Sequence, residues 1–186
     1  MREASVELAK QIGQTKGAHV FYSYNQLESY IENAVSFIVQ GLAQGERVLF
    51  VENRRISPMV FKELQNSLSE KEMEGIHFIN NFDFYWRNGN FHPPTILAHF
   101  KKATDIFVEN DLAFRTWGHI EWGREQDILN EIELYEKNVA SEVEERNAIS
   151  VCAYDASHVS DDLRRRLIAC HGYLMTDDSI TSLTAK

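Results

Sequence analysis

The chain has 186 residues, 44% of them hydrophobic and 25% charged, with a formal net charge of −9; that is the balance of one globular domain with a sizeable core. The acidic excess argues against direct contact with nucleic-acid phosphates, which needs a concentrated cationic face, and no run of about 18 apolar residues encodes a membrane span. The opening segment, MREASVELAKQIGQTKG, lacks the apolar middle of a secretory signal, so a cytoplasmic location is expected, with Cys152 and Cys170 as reduced core thiols rather than a disulfide or zinc pair.

Residues 1–16 read as a partly helical leader, 17–176 as the domain and 177–186 as a tail. His19 to Tyr24, HVFYSY, is apolar, aromatic and β-prone, the first strand. Asn25 with Glu28 three residues on predicts a capped helix, and Leu27, Ile31, Ala34, Ile38 and Leu42 recur at helical spacing. Gly41 and Gly45 bracket its end. RVLFV, from Arg47 to Val51, is apolar enough to be buried on both faces. Ser57-Pro58 starts a helix that runs to Gly75. A third strand covers Ile76 to Asn80, and an irregular aromatic stretch with an Asn88-Gly89 turn covers Phe82 to Pro94. A helix from Thr95 to Asn110 precedes strand four, Leu112 to Glu121. The next helix, Gln126 to Arg146, sets Ile128, Ile132, Tyr135, Val139 and Val143 on one face and turns Glu131, Glu133, Glu136, Glu142, Glu144 and Glu145 to solvent. Strand five is Ala148 to Asp155. A last helix is capped by Ser160 or Asp161 and carries Arg164 to Arg166 on its solvated side; Gly172 to Met175 adds an edge strand. Strand and helix alternate throughout, which predicts an α/β fold: a mostly parallel sheet with helices on both faces.

In such sheets ligands bind beyond the carboxyl ends of the strands. That rule nominates Tyr24; Glu52, Asn53 and Arg54; Asn81 and Asp83; Glu121 and Trp122; and Asp155. The loop after strand one reads YSYNQLES, and neither G-x-x-x-x-G-K-[ST] nor G-x-G-x-x-G occurs anywhere, so no glycine loop cradles a nucleotide phosphate. There is no G-x-S-x-G nucleophile elbow. His119 and Glu121 share a strand face and His92 and His99 stand seven apart, but no close metal-ligand spacing appears, so neither a metal nor another cofactor is expected. Glu52, Glu121 and Asp155 either cap helices and pair with Arg54, Arg55 or Arg115, or crowd one crevice, where burial and like charge would raise a pKa. The aromatic run from Phe82 to Phe91, with Trp86, joins Trp117 and Trp122 either as a loop pinned by its own rings or as the wall of an apolar pocket.

The chain also resembles a known family, the MEDS domain, the sensory domain named after methanogens, methylotrophs and the dichloromethane dehalogenase repressor. The residues that carry the likeness are His19 and Tyr24, the run F-I-x-x-G-L-x-x-G-E from Phe37 to Glu46, the strand VLFV, Arg115 and Trp122, Tyr135-Glu136, and Cys152-Ala153-Tyr154-Asp155. His171 matches too, although the family often has His-Pro where this chain has His171-Gly172. The likeness spans about residues 17 to 175. It implies a fold similar to RecA- and KaiC-like ATPases without the phosphate loop, and a sensory role proposed for small hydrocarbon-derived molecules. Family members are often joined to a DNA-binding or histidine-kinase module; this chain has room for neither, so it is expected to act through a regulatory partner such as a histidine kinase or transcription regulator, or by homo-oligomerising. The resulting candidate ligand-binding set is His19, Tyr24, Glu52, Arg54, Asp83, Trp86, Glu121, Trp122 and Asp155, with no catalytic residue. The other readings are a degenerate KaiC-like ATPase and a pocket-free interaction protein.

Overall fold

The computed structural model describes residues 3–14 and 17–183. Seven strands form one sheet: β1 (His19–Tyr24), β2 (Arg47–Glu52), β3 (Ile76–Asn80), β4 (Phe114–His119), β5 (Ile149–Asp155), β6 (Tyr173–Met175) and β7 (Ile180–Ser182). Their order is β3-β2-β4-β5-β1-β6-β7. All neighbours are parallel except β6 and β7, which pair antiparallel. The helices are α1 (Glu3–Gly13), α2 (Leu27–Ala43), α3 (Ser57–Gln65), α4 (Glu70–Met73), α5 (Asn81–Tyr85), α6 (Pro93–Glu109), α7 (Ile132–Glu145) and α8 (Asp161–Cys170).

Strand alternation divides the core into two layers. On one face Val20, Tyr22, Val48, Phe50, Trp117 and Val151 meet α1, α2 and α3. On the other Phe21, Leu49, Val51, Cys152 and Tyr154 meet α5, α6, α7 and α8. The central strands β1, β4 and β5 are buried on both faces, β4 with Arg115 and His119 enclosed among its apolar residues.

Several features differ from the sequence reading. The helix expected from Ser57 to Gly75 breaks into α3 and α4, because Ser69 and Glu72 form a reciprocal capping box that starts a new helix. Helix α2 is not capped by Asn25; the amides of Asn25 and Gln26, the two residues that precede it, donate to the carboxylate of Asp177 at 3.2 and 3.0 Å. The aromatic stretch begins with α5, and α6 opens on Pro93. Glu136 and Glu142 on α7 are buried rather than solvated. The tail returns as β7 against β6, and Ile12 of the leader is buried in the α2-side core. Residues 1, 2, 15, 16 and 184–186 lie outside the described residues.

The F-I-x-x-G-L-x-x-G-E run has one physical purpose, to receive Arg115. This side chain is fully buried on β4. Its Nε donates to Glu46 at 2.5 Å, its Nη1 to the Phe37 carbonyl at 3.1 Å, and its guanidinium lies 4.7 Å from the Phe37 ring centre. A Cβ on Gly41 would stand 2.6 Å from Arg115 Nε, and Gly45 turns the chain at φ +79° so that Glu46 comes back to the guanidinium. Because Arg115 is pinned at three points, Gly41→Ala is expected to cost about 1–3 kcal/mol by overpacking. Glu46→Ala strands a buried guanidinium and costs on the order of 3 kcal/mol. Urea denaturation of both variants checks this, and a loss below half a kcal/mol in each would refute the receptor.

Candidate functional site

The carboxyl ends of β1, β2 and β4 converge on a buried polar network on the α2 side of the sheet. Glu52 ends β2 and is completely enclosed. One carboxylate oxygen takes His119 Nδ1 at 2.6 Å and the Asn53 amide at 2.7 Å. The other accepts the hydroxyl of Tyr30 from α2, which itself accepts Trp117 Nε1 at 2.8 Å. His119 Nε2 then reaches the Tyr24 hydroxyl at 3.0 Å. Since a carboxylate only accepts, Nδ1 carries the hydrogen.

Burial alone would push the His119 imidazole down. The adjoining Glu52 carboxylate, with Glu121 and Asp155 beyond, outweighs that and holds it above the usual histidine range. Burial raises the Tyr24 hydroxyl, and the Asp155, Glu52 and Glu121 charges raise it further, so it stays protonated.

Next to this network a cavity of about 410 Å³ opens, lined by Asn81, Phe82, Trp86, Glu121, Trp122 and Gly123. Glu121 Oε2 is fixed by Asn53 Nδ2 and Asn81 Nδ2, both at 2.8 Å, while the Trp86 indole donates to the Glu121 carbonyl at 2.8 Å. Desolvation would raise Glu121, but His119, the two asparagine donors and Arg55 bring it below the usual carboxylate range. The rise expected from crowded carboxylates is thus reversed by donors that the crowding argument left out. Phe84, Tyr85 and Phe91 turn into the core, so the aromatic stretch is pinned by some rings and lends Phe82 and Trp86 to the cavity.

The predicted residues divide accordingly. Tyr24, Glu52, Glu121, Trp86 and Trp122 come together in or beside this crevice. Asp155 pairs in register with Tyr24 but spends one oxygen on Ser157, accepting its amide at 2.9 Å and its hydroxyl at 2.6 Å. Arg54 is exposed on the turn after β2. Asp83 lines a separate cavity of about 430 Å³ with His77, Arg87, His99 and Lys102. His19, at the amino end of β1, faces the opposite layer and sits among Glu136, Cys152 and His171. There burial pushes the Cys152 thiol well up, with Glu136 adding to it. Burial and His19 push His171 down to about 3. Desolvation would raise Glu136, but His171, His19 and the Tyr154 hydroxyl hold it below the carboxylate range.

Sequence reasoning passed over Tyr30 and weighed His119 only as a metal-ligand candidate beside Glu121, not as part of the binding set. The signal for His119 was its parity with Trp117 and Arg115 on a strand buried on both faces; a histidine there needs a polar partner.

A raised folded-state value means that the His119 contribution to stability is complete below about pH 6.5 and is lost as pH rises through that higher value. The stability gap between wild type and His119→Gln is therefore expected to narrow as pH rises from about 6.5 into the alkaline range. Urea denaturation across that range measures it; a constant gap would refute the coupling to Glu52.

A family model described as MEDS, the methanogen/methylotroph, DcmR sensory domain, matches residues 18–172. No curated protein matches the chain. Among solved structures, the chain is similar to the crystal structure of flagellar accessory protein FlaH from Methanocaldococcus jannaschii, with a TM-score of 0.53 and 11% identity over 91% of this chain and 76% of that one. At that identity the likeness speaks to fold alone, an α/β sheet of RecA-like architecture. Among the described residues no helix is long and apolar enough to cross a membrane.

Proposed function

The chain belongs to the MEDS sensory-domain family, and from that premise we propose that it binds a small, hydrocarbon-derived ligand in the crevice between Trp86 and Trp122 and signals occupancy to a regulatory protein. The observation that carries this reading is the cavity of about 410 Å³ with aromatic walls and a single fixed carboxylate, Glu121. A mostly apolar pocket with few oriented polar groups suits a small organic molecule. Ionised Glu121 can only accept hydrogen bonds, so the ligand's polar end is a donor, a hydroxyl or an ammonium, and its carbon skeleton lies against the indoles.

A nucleotide fits this chain poorly. The two amides just before α2 point at the Asp177 carboxylate, which sets a fixed negative charge beside the helix N-terminus where a phosphate would otherwise lie. Binding in the crevice would draw Trp86 and Trp122 together and order the segment between α5 and α6. That shifts the population of a surface which a separate histidine kinase, a transcription regulator or a second copy could read.

Titration with short alcohols, amines and haloalkanes, followed by melting temperature and tryptophan emission, tests the reading. Alcohols or amines are expected to stabilise the protein and shift the emission. Glu121→Gln should weaken binding about tenfold or more, by loss of a charge-assisted hydrogen bond, and Trp122→Ala should remove the emission change. No response to the whole panel, or magnesium-dependent ATP hydrolysis lost in Glu52→Gln, would overturn it.

A further inference from the structure

On the α7 side of the sheet lies a second polar cluster that the crevice does not use. His19 from β1, Glu136 from α7, Cys152 from β5 and His171 after α8 each present one ligand atom, and the four atoms lie within 4.8 Å of one another. His19 Nε2 is 3.1 Å from Glu136 Oε2 and 3.3 Å from Cys152 Sγ; His171 Nε2 is 3.5 Å from the same Oε2. All four residues are at most 6% exposed.

The hydrogen bonds around the cluster fix which atoms face inward. Nδ1 of His19 meets the Cys170 carbonyl at 3.3 Å and Nδ1 of His171 meets the Leu167 carbonyl at 2.7 Å. A carbonyl only accepts, so each Nδ1 carries a hydrogen, and in the neutral ring each Nε2 is left as a lone pair. Glu136 Oε1 accepts the Tyr154 hydroxyl. Glu136 Oε2 and His171 Nε2 are buried without a hydrogen-bond partner. Two imidazole lone pairs, a carboxylate oxygen and a sulfur therefore converge in a space closed to water. The Cys152 thiol brings one hydrogen and can satisfy only one of these acceptors, His19 Nε2. A proton on one ring serves two of the four atoms; a metal ion serves all of them.

We propose that His19, Glu136, Cys152 and His171 form a four-ligand site for a divalent transition metal, zinc above all. Mixed nitrogen, oxygen and thiolate donors in a closed tetrahedral set suit zinc. Bonds of about 2.0–2.3 Å separate such ligand atoms by roughly 3.3–3.7 Å, close to the contacts above. The widest pair closes on the order of 1 Å, and the two histidine rings, stacked at 3.9 Å, splay apart to share the ion. The backbone carbonyls that hold each Nδ1 are the usual outer partners of metal-bound histidines. On binding, the Cys152 thiol loses its proton to solvent, and thiolate plus carboxylate balance the two positive charges, so the buried site becomes neutral. Four protein ligands leave no open position, so the ion clamps α7 and α8 to β1 and β5 and does no chemistry on a substrate.

Because the site is buried, the protein is expressed in zinc-supplemented medium for metal analysis, and separately unfolded and refolded with Co²⁺. The expected results are about one zinc ion per chain, a melting temperature raised on the order of 5 °C over the chelator-treated protein, and a cobalt spectrum with tetrahedral d–d bands and a thiolate charge-transfer band. Cys152→Ser removes the charge-transfer band, His171→Gln lowers the metal content, and Cys170→Ser keeps both. If Cys152→Ser does not fold, the metal content of His171→Gln carries the test, and an undiminished content there counts against the site. A folded wild-type chain without stoichiometric zinc, or a cobalt complex without thiolate absorption, overturns the proposal.

Discussion

The Glu52 carboxylate ends β2 with no exposure to solvent, and enclosing it imposes a condition on three other elements. A buried carboxylate is tolerated only when its oxygens are fully hydrogen-bonded or paired. Here the donors come from α2 through Tyr30, from β4 through His119, and from the backbone of Asn53. Each donor then needs its own partner. Tyr30 takes the Trp117 indole and His119 takes Tyr24. One charge at one strand end thus sets the side chains of β1, β4 and α2 around it and fixes the floor beside which Glu121 is presented.

The same logic explains what became of the loop after β1. In a fold of RecA-like architecture the amides that open the following helix form an anion site. This chain supplies the anion itself. Asp177, held also by the Tyr22 hydroxyl at 3.1 Å, takes the amides of Asn25 and Gln26 just before α2 from the far end of the sequence. Its carboxylate ties the β6–β7 hairpin to β1 and to the entry of α2, which gives the C-terminal segment a structural reason to return to the sheet.

What could be read from the sequence followed the range of the interactions. Strands β1 and β2 are legible in their mostly apolar runs, and the rule of strand ends nominated Tyr24, Glu52, Glu121 and Trp122, which the structure gathers at one crevice. Ser69 and Glu72 were legible as a capping box but lay inside a helix that the apolar spacing seemed to continue. The Asp177 contact at the entry of α2 was not legible, because Asn25 offers a local solution and Asp177 lies 152 residues away. Glu136 was misread as solvated because it stands among acidic neighbours on α7; only the tertiary fold shows that its place on the helix faces Tyr154, His19 and His171. The motif run from Phe37 to Glu46 was visible as a pattern, yet its purpose depends on Arg115, far along the chain on β4.

Strand β1 carries a polar group to each end: Tyr24 at the carboxyl end toward α2, His19 at the amino end toward α7. Five residue steps of strand separate the two by roughly 17 Å, and they face opposite layers. They are also opposite in character. The His19 cluster is dry, made of four inward-facing atoms and closed by backbone carbonyls, which makes it an anchor. The Tyr24 end opens beside a cavity whose walls, Phe82, Trp86 and Trp122, are exposed or only partly buried. Motion in a folded domain is drawn from segments with few buried contacts, so the ligand response proposed above would belong to the α5–α6 segment and the turn after β4. On that proposal the His19 end would supply a fixed frame against which a small movement of two indoles is registered.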